Sequence, residues 1–161
     1  MNERITETIV RERFQPFVSQ GFIIEEQQSQ NPRIAKLLHS ASKSGHGIGK
    51  PEFIVSHKED SDFLLVVECK ADNRKHVSPT LDQWKDYAVD GALLYSTYLS
   101  RDFDVIALGV SGQRDKDLLA TAYLQLKTTQ KPKLLARELL TLPDFRDIYI
   151  YHEDTRRVLT V

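Results

Sequence analysis

The sequence predicts an α/β (α+β) fold, a mixed central sheet flanked by helices, and three observations carry that expectation. Leu64-Leu65-Val66-Val67 opens a stretch that is apolar on both faces up to Glu68-Cys69-Lys70, as a strand covered on both sides must be. The charged turn His57-Lys58-Glu59-Asp60-Ser61 joins it to a preceding strand, which makes a hairpin. Asn31-Pro32 and Ser78-Pro79 each pair a capping side chain with a proline whose missing N–H costs a helix start nothing, so helices bracket the hairpin.

In chain order, residues 2–19 read as a helix with Val10, Phe14 and Phe17 on one side and Ile5 and Ile9 on another, closed by Gly21. A polar loop follows from Glu25 to Gln30. A second helix runs from Pro32 to about Ala41 and buries Ile34, Leu37 and Leu38. Ser42 to Lys50 is a Gly/Ser/Lys loop. The hairpin strands are residues 52–57 and 62–70. The helix capped at Ser78-Pro79 is expected to reach Tyr98, with Gly91 as a point for a kink. Phe103 to Val110 and Ala120 to Leu126 are further strands, Leu134 to Leu140 a short helix, and Ile148 to Tyr151 a final strand. The order α-α-β-β-α-β-β-α-β is that of a mixed sheet with helices on its faces.

The chain has 161 residues, of which 40% are hydrophobic and 28% charged, enough for a single domain with a core. No apolar run is long enough to span a membrane, and the charged start Met1-Asn2-Glu3-Arg4 lacks a signal-peptide core, so a cytoplasmic protein is expected. The apolar-alternating Val158-Leu159-Thr160-Val161 at the end leaves two alternatives, a complete small protein or, favoured, residues 1–161 as the N-terminal domain of a larger one. Cys69 is the only cysteine; its place in the apolar strand favours a small buried side chain over a reactive thiol. A net charge of −1 supplies no global attraction to nucleic acid, so any such binding rests on a local patch.

Residues two apart on a strand point the same way, so Glu68 and Lys70 share a face and Cys69 takes the other. Glu52, at the start of the neighbouring strand, is placed to bring a second carboxylate beside Glu68. Two such carboxylates repel unless a cation lies between them. Hard divalent ions such as Mg²⁺ take oxygen ligands of this kind, and a nearby lysine can then position a water or neutralise developing charge. By spacing alone, a plain Glu68–Lys70 ion pair with a turn glutamate at 52 accounts for the same residues. Arg33, Lys36 and Lys43 fall roughly on one helical face if the helix continues, ahead of Lys50 on a glycine-rich loop that can approach a backbone phosphate. An ordinary solvated face reads the same way, as do Arg74, Lys75 and His76. Gly45 to Lys50 is too short for a phosphate-binding Walker loop, the histidines lack zinc spacing, and no hydrolase elbow, methyltransferase or helicase motif is present.

Pro51-Glu52 followed by Glu68-Cys69-Lys70 resembles the PD-(D/E)xK nuclease superfamily. Gln83-Trp84-Lys85-Asp86-Tyr87 matches the Gln-x-x-x-Tyr motif of some of its branches, and Glu7, on the side of Val10 and Phe14, resembles their helical acidic residue. Ser29 to Ile34, Ala41-Ser42-Lys43, Gly47 to Ile54, Glu68 to Asp72 and Tyr87 to Ala92 are similar to nuclease-like N-terminal domains of type I restriction-modification proteins, motor subunits or methyltransferase fusions. The likeness spans roughly residues 3–112. It implies a restriction-endonuclease-like core and a Mg²⁺-dependent DNA endonuclease, with Mn²⁺ able to substitute. Glu52, Glu68 and the Cys69 carbonyl would bind metal, Lys70 would act on the water, and Glu7 would support the metal shell. Gln83 and Tyr87, four apart on the expected helix, would orient Lys70 or the phosphate. DNA, other restriction-modification subunits and a second copy of the chain are the partners it implies. Glu52 departs from the usual Asp, which keeps open an inactive module for DNA binding or assembly; a nuclease acting on RNA or DNA ends is the remaining alternative.

Overall fold

The computed structural model describes residues 2–129 and 131–135. Helix α1 (Glu3–Phe14) is capped by Asn2, whose side chain accepts the Arg4 amide, and it buries Thr6, Val10 and Phe14 at i, i+4, i+8 spacing. The expected helix over 2–19 changes character after Phe14: Gln15–Gln20 is a 3₁₀ segment with Pro16 at its start, because proline lacks the donor and crowds the carbonyl four residues back. Gly21 closes it in the left-handed region, at φ 96°.

Strand β1 (Phe22–Glu25) follows at once, a four-residue edge strand whose short apolar run carries too little periodicity to be read beforehand. Helix α2 (Pro32–Leu38) is capped by Asn31, as expected, but ends three residues before Ala41. The hairpin is β2 (Phe53–His57) and β3 (Asp60–Lys70), with β3 reaching two residues further into the turn than expected. Helix α3 (Ala88–Leu99) leads into β4 (Asp104–Ser111) and β5 (Leu119–Gln125).

Two expectations are corrected. The helix foreseen from Ser78 begins only at Ala88, because the Asp90 carboxylate accepts from the Ser78 and Gln83 amides, at 3.1 and 2.9 Å, and from the Ser78 hydroxyl. Those bonds fold residues 78–87 into a loop around a buried acid, an alternative to helix that short polar side chains offer. Where a helix was expected from Leu134, Lys133–Leu134 forms a short strand β6 on the edge of β5. The remainder of that expected helix, the strand at Ile148–Tyr151 and the segment Val158–Val161 lie outside the described residues.

Among the described residues the sheet has six strands in the order β1-β2-β3-β4-β5-β6. All neighbours pair antiparallel except β3 and β4, which run parallel and are joined by the α3 crossover. Odd-numbered residues of β3, with Phe53 and Val55 of β2, pack under α1 and its 3₁₀ extension; Ile54, Leu64 and Val66 pack under α2 and α3. Helices therefore cover both faces, and β3 is central as its composition required. The crossover leaves the carboxyl-terminal ends of β3 and β4 side by side, with Glu68 opposite Gly109 and Lys70 opposite Ser111. Ligands of open α/β sheets gather at such an end.

Candidate metal-binding site at the ends of β2 and β3

Antiparallel pairing of β2 and β3 sets Phe53 opposite Val67, so the residue before β2 meets the residue after Val67. The Glu52 amide accordingly donates to Glu68 Oε1 at 3.0 Å. Glu68 is buried, with 1% of its side chain exposed, and its other oxygen is paired with the Lys43 ammonium. Burial pushes the Glu68 carboxyl above its usual range, with Lys43 opposing that shift.

The Glu52 carboxylate lies toward α1. Carboxylate oxygens of Glu3, Glu7 and Glu52 all lie within 4.8 Å of one another. Glu3 and Glu7 are one helical turn apart, hence neighbours on one stripe of α1. The helix is tied to the strand ends by the Thr6 hydroxyl, which donates to the Gly112 carbonyl at 2.5 Å. Burial raises the Glu52 pKa to about 8, reinforced by the charges of Glu68, Glu7 and Glu3 and opposed by Lys43.

Lys70 reaches the same region from the end of β3. Its ammonium donates to the Lys85 carbonyl at 2.9 Å and to Glu3 Oε1 at 3.3 Å. The 78–87 segment thus supports Lys70 through a backbone oxygen. Gln83 and Tyr87 do not project from one helical face: Gln83 is exposed in the loop, and Tyr87 is the residue that precedes α3. They are linked by an amide-to-carbonyl turn, Tyr87 N to Gln83 O at 3.2 Å. Cys69 faces the opposite core, where burial above all holds its thiol neutral.

The basic residues separate. Because α2 ends at Leu38, Arg33 and Lys43 do not continue one helical face. Arg33 lies at the far end of β3, bonded to Asp102 at 2.8 Å and to the Ser61 carbonyl at 3.1 Å, with its guanidinium 4.4 Å from the Phe103 ring centre. Lys43 enters the acidic site itself. Lys36 and Lys50 are exposed. Lys50 borders a cleft with Gln27, Gln28, His39 and Ile48 beside the Glu52 turn. Of the ambiguous trio, Arg74 pairs with Asp72, and Lys75 lies 5.2 Å from the Tyr87 ring centre. His76 is buried between the hydroxyls of Ser111 and Thr121, at 2.9 and 2.8 Å.

Sequence reading missed Glu3, the contact of Lys43 with Glu68, the Lys85 carbonyl and Asp90. Of these only Glu3 left a legible trace, its i, i+4 spacing from Glu7 on the first helix.

Among the described residues, a six-stranded mixed sheet with helices on both faces is consistent with a restriction-endonuclease-like fold. The chain is 35% identical over 106 residues to the type II restriction enzyme and methyltransferase RM.BcgI of Heyndrickxia coagulans, a match covering 57% of this chain. It spans only 16% of that protein's length. The similarity relates the chain to a restriction-modification protein. No family model matches the chain, and no solved structure matches it significantly. Among the described residues, no helix is long and apolar enough to cross a membrane.

Proposed function

We propose that this chain is a metal-dependent DNA endonuclease domain of a restriction-modification system, hydrolysing phosphodiester bonds. The observation that carries the reading is the convergence of Glu3, Glu7 and Glu52 oxygens beside Glu68 and Lys70 at one end of the sheet. An all-oxygen anionic donor set suits Mg²⁺ or Mn²⁺. Glu52 and Glu68 would hold the ion, with Glu7, Glu3 and the Cys69 carbonyl as further oxygen donors. When bound, a divalent ion activates water and neutralises charge on the phosphate. Lys70, fixed by the Lys85 carbonyl, orients the attacking water and the non-bridging phosphate oxygen. Gln83 and Tyr87 shape the loop that carries Lys85. Lys36 and Lys50 offer phosphate contacts on the exposed side, and DNA and other subunits of the system are the partners in this reading.

A second reading, an inactive module for DNA binding or assembly, draws on one observation: Glu68 and Lys70 already have internal partners, Lys43 and Glu3. Supercoiled plasmid incubated with Mg²⁺ or Mn²⁺ decides between them. Cleavage by the wild type that is lost in Glu68→Ala and Lys70→Ala supports the nuclease; equal cleavage by all three proteins rejects it. Linear, single-stranded and RNA substrates in the same assay identify the nucleic acid acted upon.

A further inference from the structure

We propose that Lys43 is a displaceable cation built into the acidic site: its ammonium balances Glu68 until a divalent ion takes its place. The inference rests on the metal-site reading above and adds a residue and an order of events to it. Glu68 is the most deeply buried acid of the cluster, and both its oxygens are engaged, one by the Glu52 amide and one by Lys43. A carboxylate at that depth needs a compensating positive charge. Among the described residues, Lys43 is the cation in contact with it, whereas Lys70 is directed to Glu3 and Lys85.

The setting of Lys43 suits a group that leaves and returns. Its side chain remains 21% exposed, so a path to solvent is open. The loop bearing it is pinned at its base, where the Ala41 and Gly49 amides both donate to the Leu38 carbonyl, at 3.1 and 2.7 Å. The lysine can therefore swing out by rotation of its own long stem. Room for the inward position comes from Gly91, where a Cβ would stand 3.2 Å from both the Cε and the Nζ of Lys43. An ammonium and a divalent ion on the same carboxylate repel each other, so occupancy by one opposes the other.

Mn²⁺ binding and thermal unfolding, measured on the wild type, Lys43→Met and the double variant Lys43→Met/Glu68→Gln, test this without reference to cleavage. In EDTA, Lys43→Met should melt below the wild type, and the double variant should recover much of the loss. Mn²⁺ should raise the melting temperature of Lys43→Met more than that of the wild type. It should also bind Lys43→Met about tenfold more tightly, as expected if the lysine-out state makes up a tenth of the wild type. Folding of Lys43→Met only in the presence of Mn²⁺ supports the proposal in the same way. Equal Mn²⁺ affinity for the wild type and Lys43→Met overturns the displacement while leaving the metal site standing. Failure of Lys43→Met to fold even with Mn²⁺, while the double variant folds, overturns it too. Absence of Mn²⁺ binding to every variant overturns both this inference and the metal-dependent reading.

Discussion

Glu52 and Glu68 meet across the β2–β3 hairpin, the amide of the first bonded to a carboxylate oxygen of the second at 3.0 Å, while the Glu52 carboxylate points to α1. One acid is thus held rigidly by backbone and the other is directed toward two more acids on a helix.

Burial of Glu52, reinforced by the neighbouring acids, opposes folding of its charged form when no cation is present. The folded-state pKa of Glu52, about 8, lies above its ordinary 4.5. Its contribution is therefore favourable below the unfolded value and is lost as pH rises through about 8. Glu52→Gln should flatten this dependence, raise metal-free stability near pH 8 by at least about 1 kcal/mol, and weaken Mn²⁺ binding. Chemical denaturation across pH with parallel calorimetry measures both; an unchanged pH slope would refute the raised Glu52 pKa.

Lys70 contacts a carbonyl and Glu3 at the mouth of the site. In the nuclease reading Lys70→Ala should lower plasmid cleavage by about 100-fold or more while Mn²⁺ affinity changes little. Glu3→Gln should have the smaller effect on cleavage, because the Lys85 carbonyl still holds the ammonium. Quantified nicking rates and calorimetry on the two variants separate these roles.

Asp90 is fully buried and organises residues 78–87 through two amides and a hydroxyl. Asp90→Ala leaves those donors unpaired and should cost about 2–4 kcal/mol. Trp84, the single tryptophan, lies in the loop and should change its emission before global unfolding. Denaturant titrations followed by both fluorescence and circular dichroism test this.

Burial lowers the pKa of His76 from its ordinary 6.5. The unfolded chain then takes up a proton before the folded one does, so the stability associated with neutral His76 is complete above about pH 6.5 and falls as pH drops below it. His76→Gln, which keeps hydrogen-bonding capacity without titrating, should reduce the slope of stability between pH 5 and 6.5 relative to the wild type in urea titrations.

Periodicity and capping made most of the fold legible. Apolar positions on both faces of β3 placed it centrally, Asn31-Pro32 marked the start of α2, and Glu68-x-Lys70 with Glu52 located the acidic end of the sheet. Legibility stopped where a distant side chain competes with local preference. Ser78-Pro79 has the form of a helix start, yet Asp90, twelve residues on, draws the segment into a loop. Spacing set Gln83 and Tyr87 on one helical face only so long as that helix existed.

The sequence alone determined which residues alternate, that Asn31-Pro32 begins a helix, and that acids and a lysine share a strand end, because these follow from bonds between near neighbours. Tertiary structure decided which charges compensate one another. Lys43, foreseen as a surface cation, lies against Glu68; Lys70, foreseen beside Glu68, is held by Glu3 and Lys85. Ion pairing between residues 25 and 67 positions apart depends on how α1, the 42–50 loop and the sheet pack, and no local pattern encodes that distance.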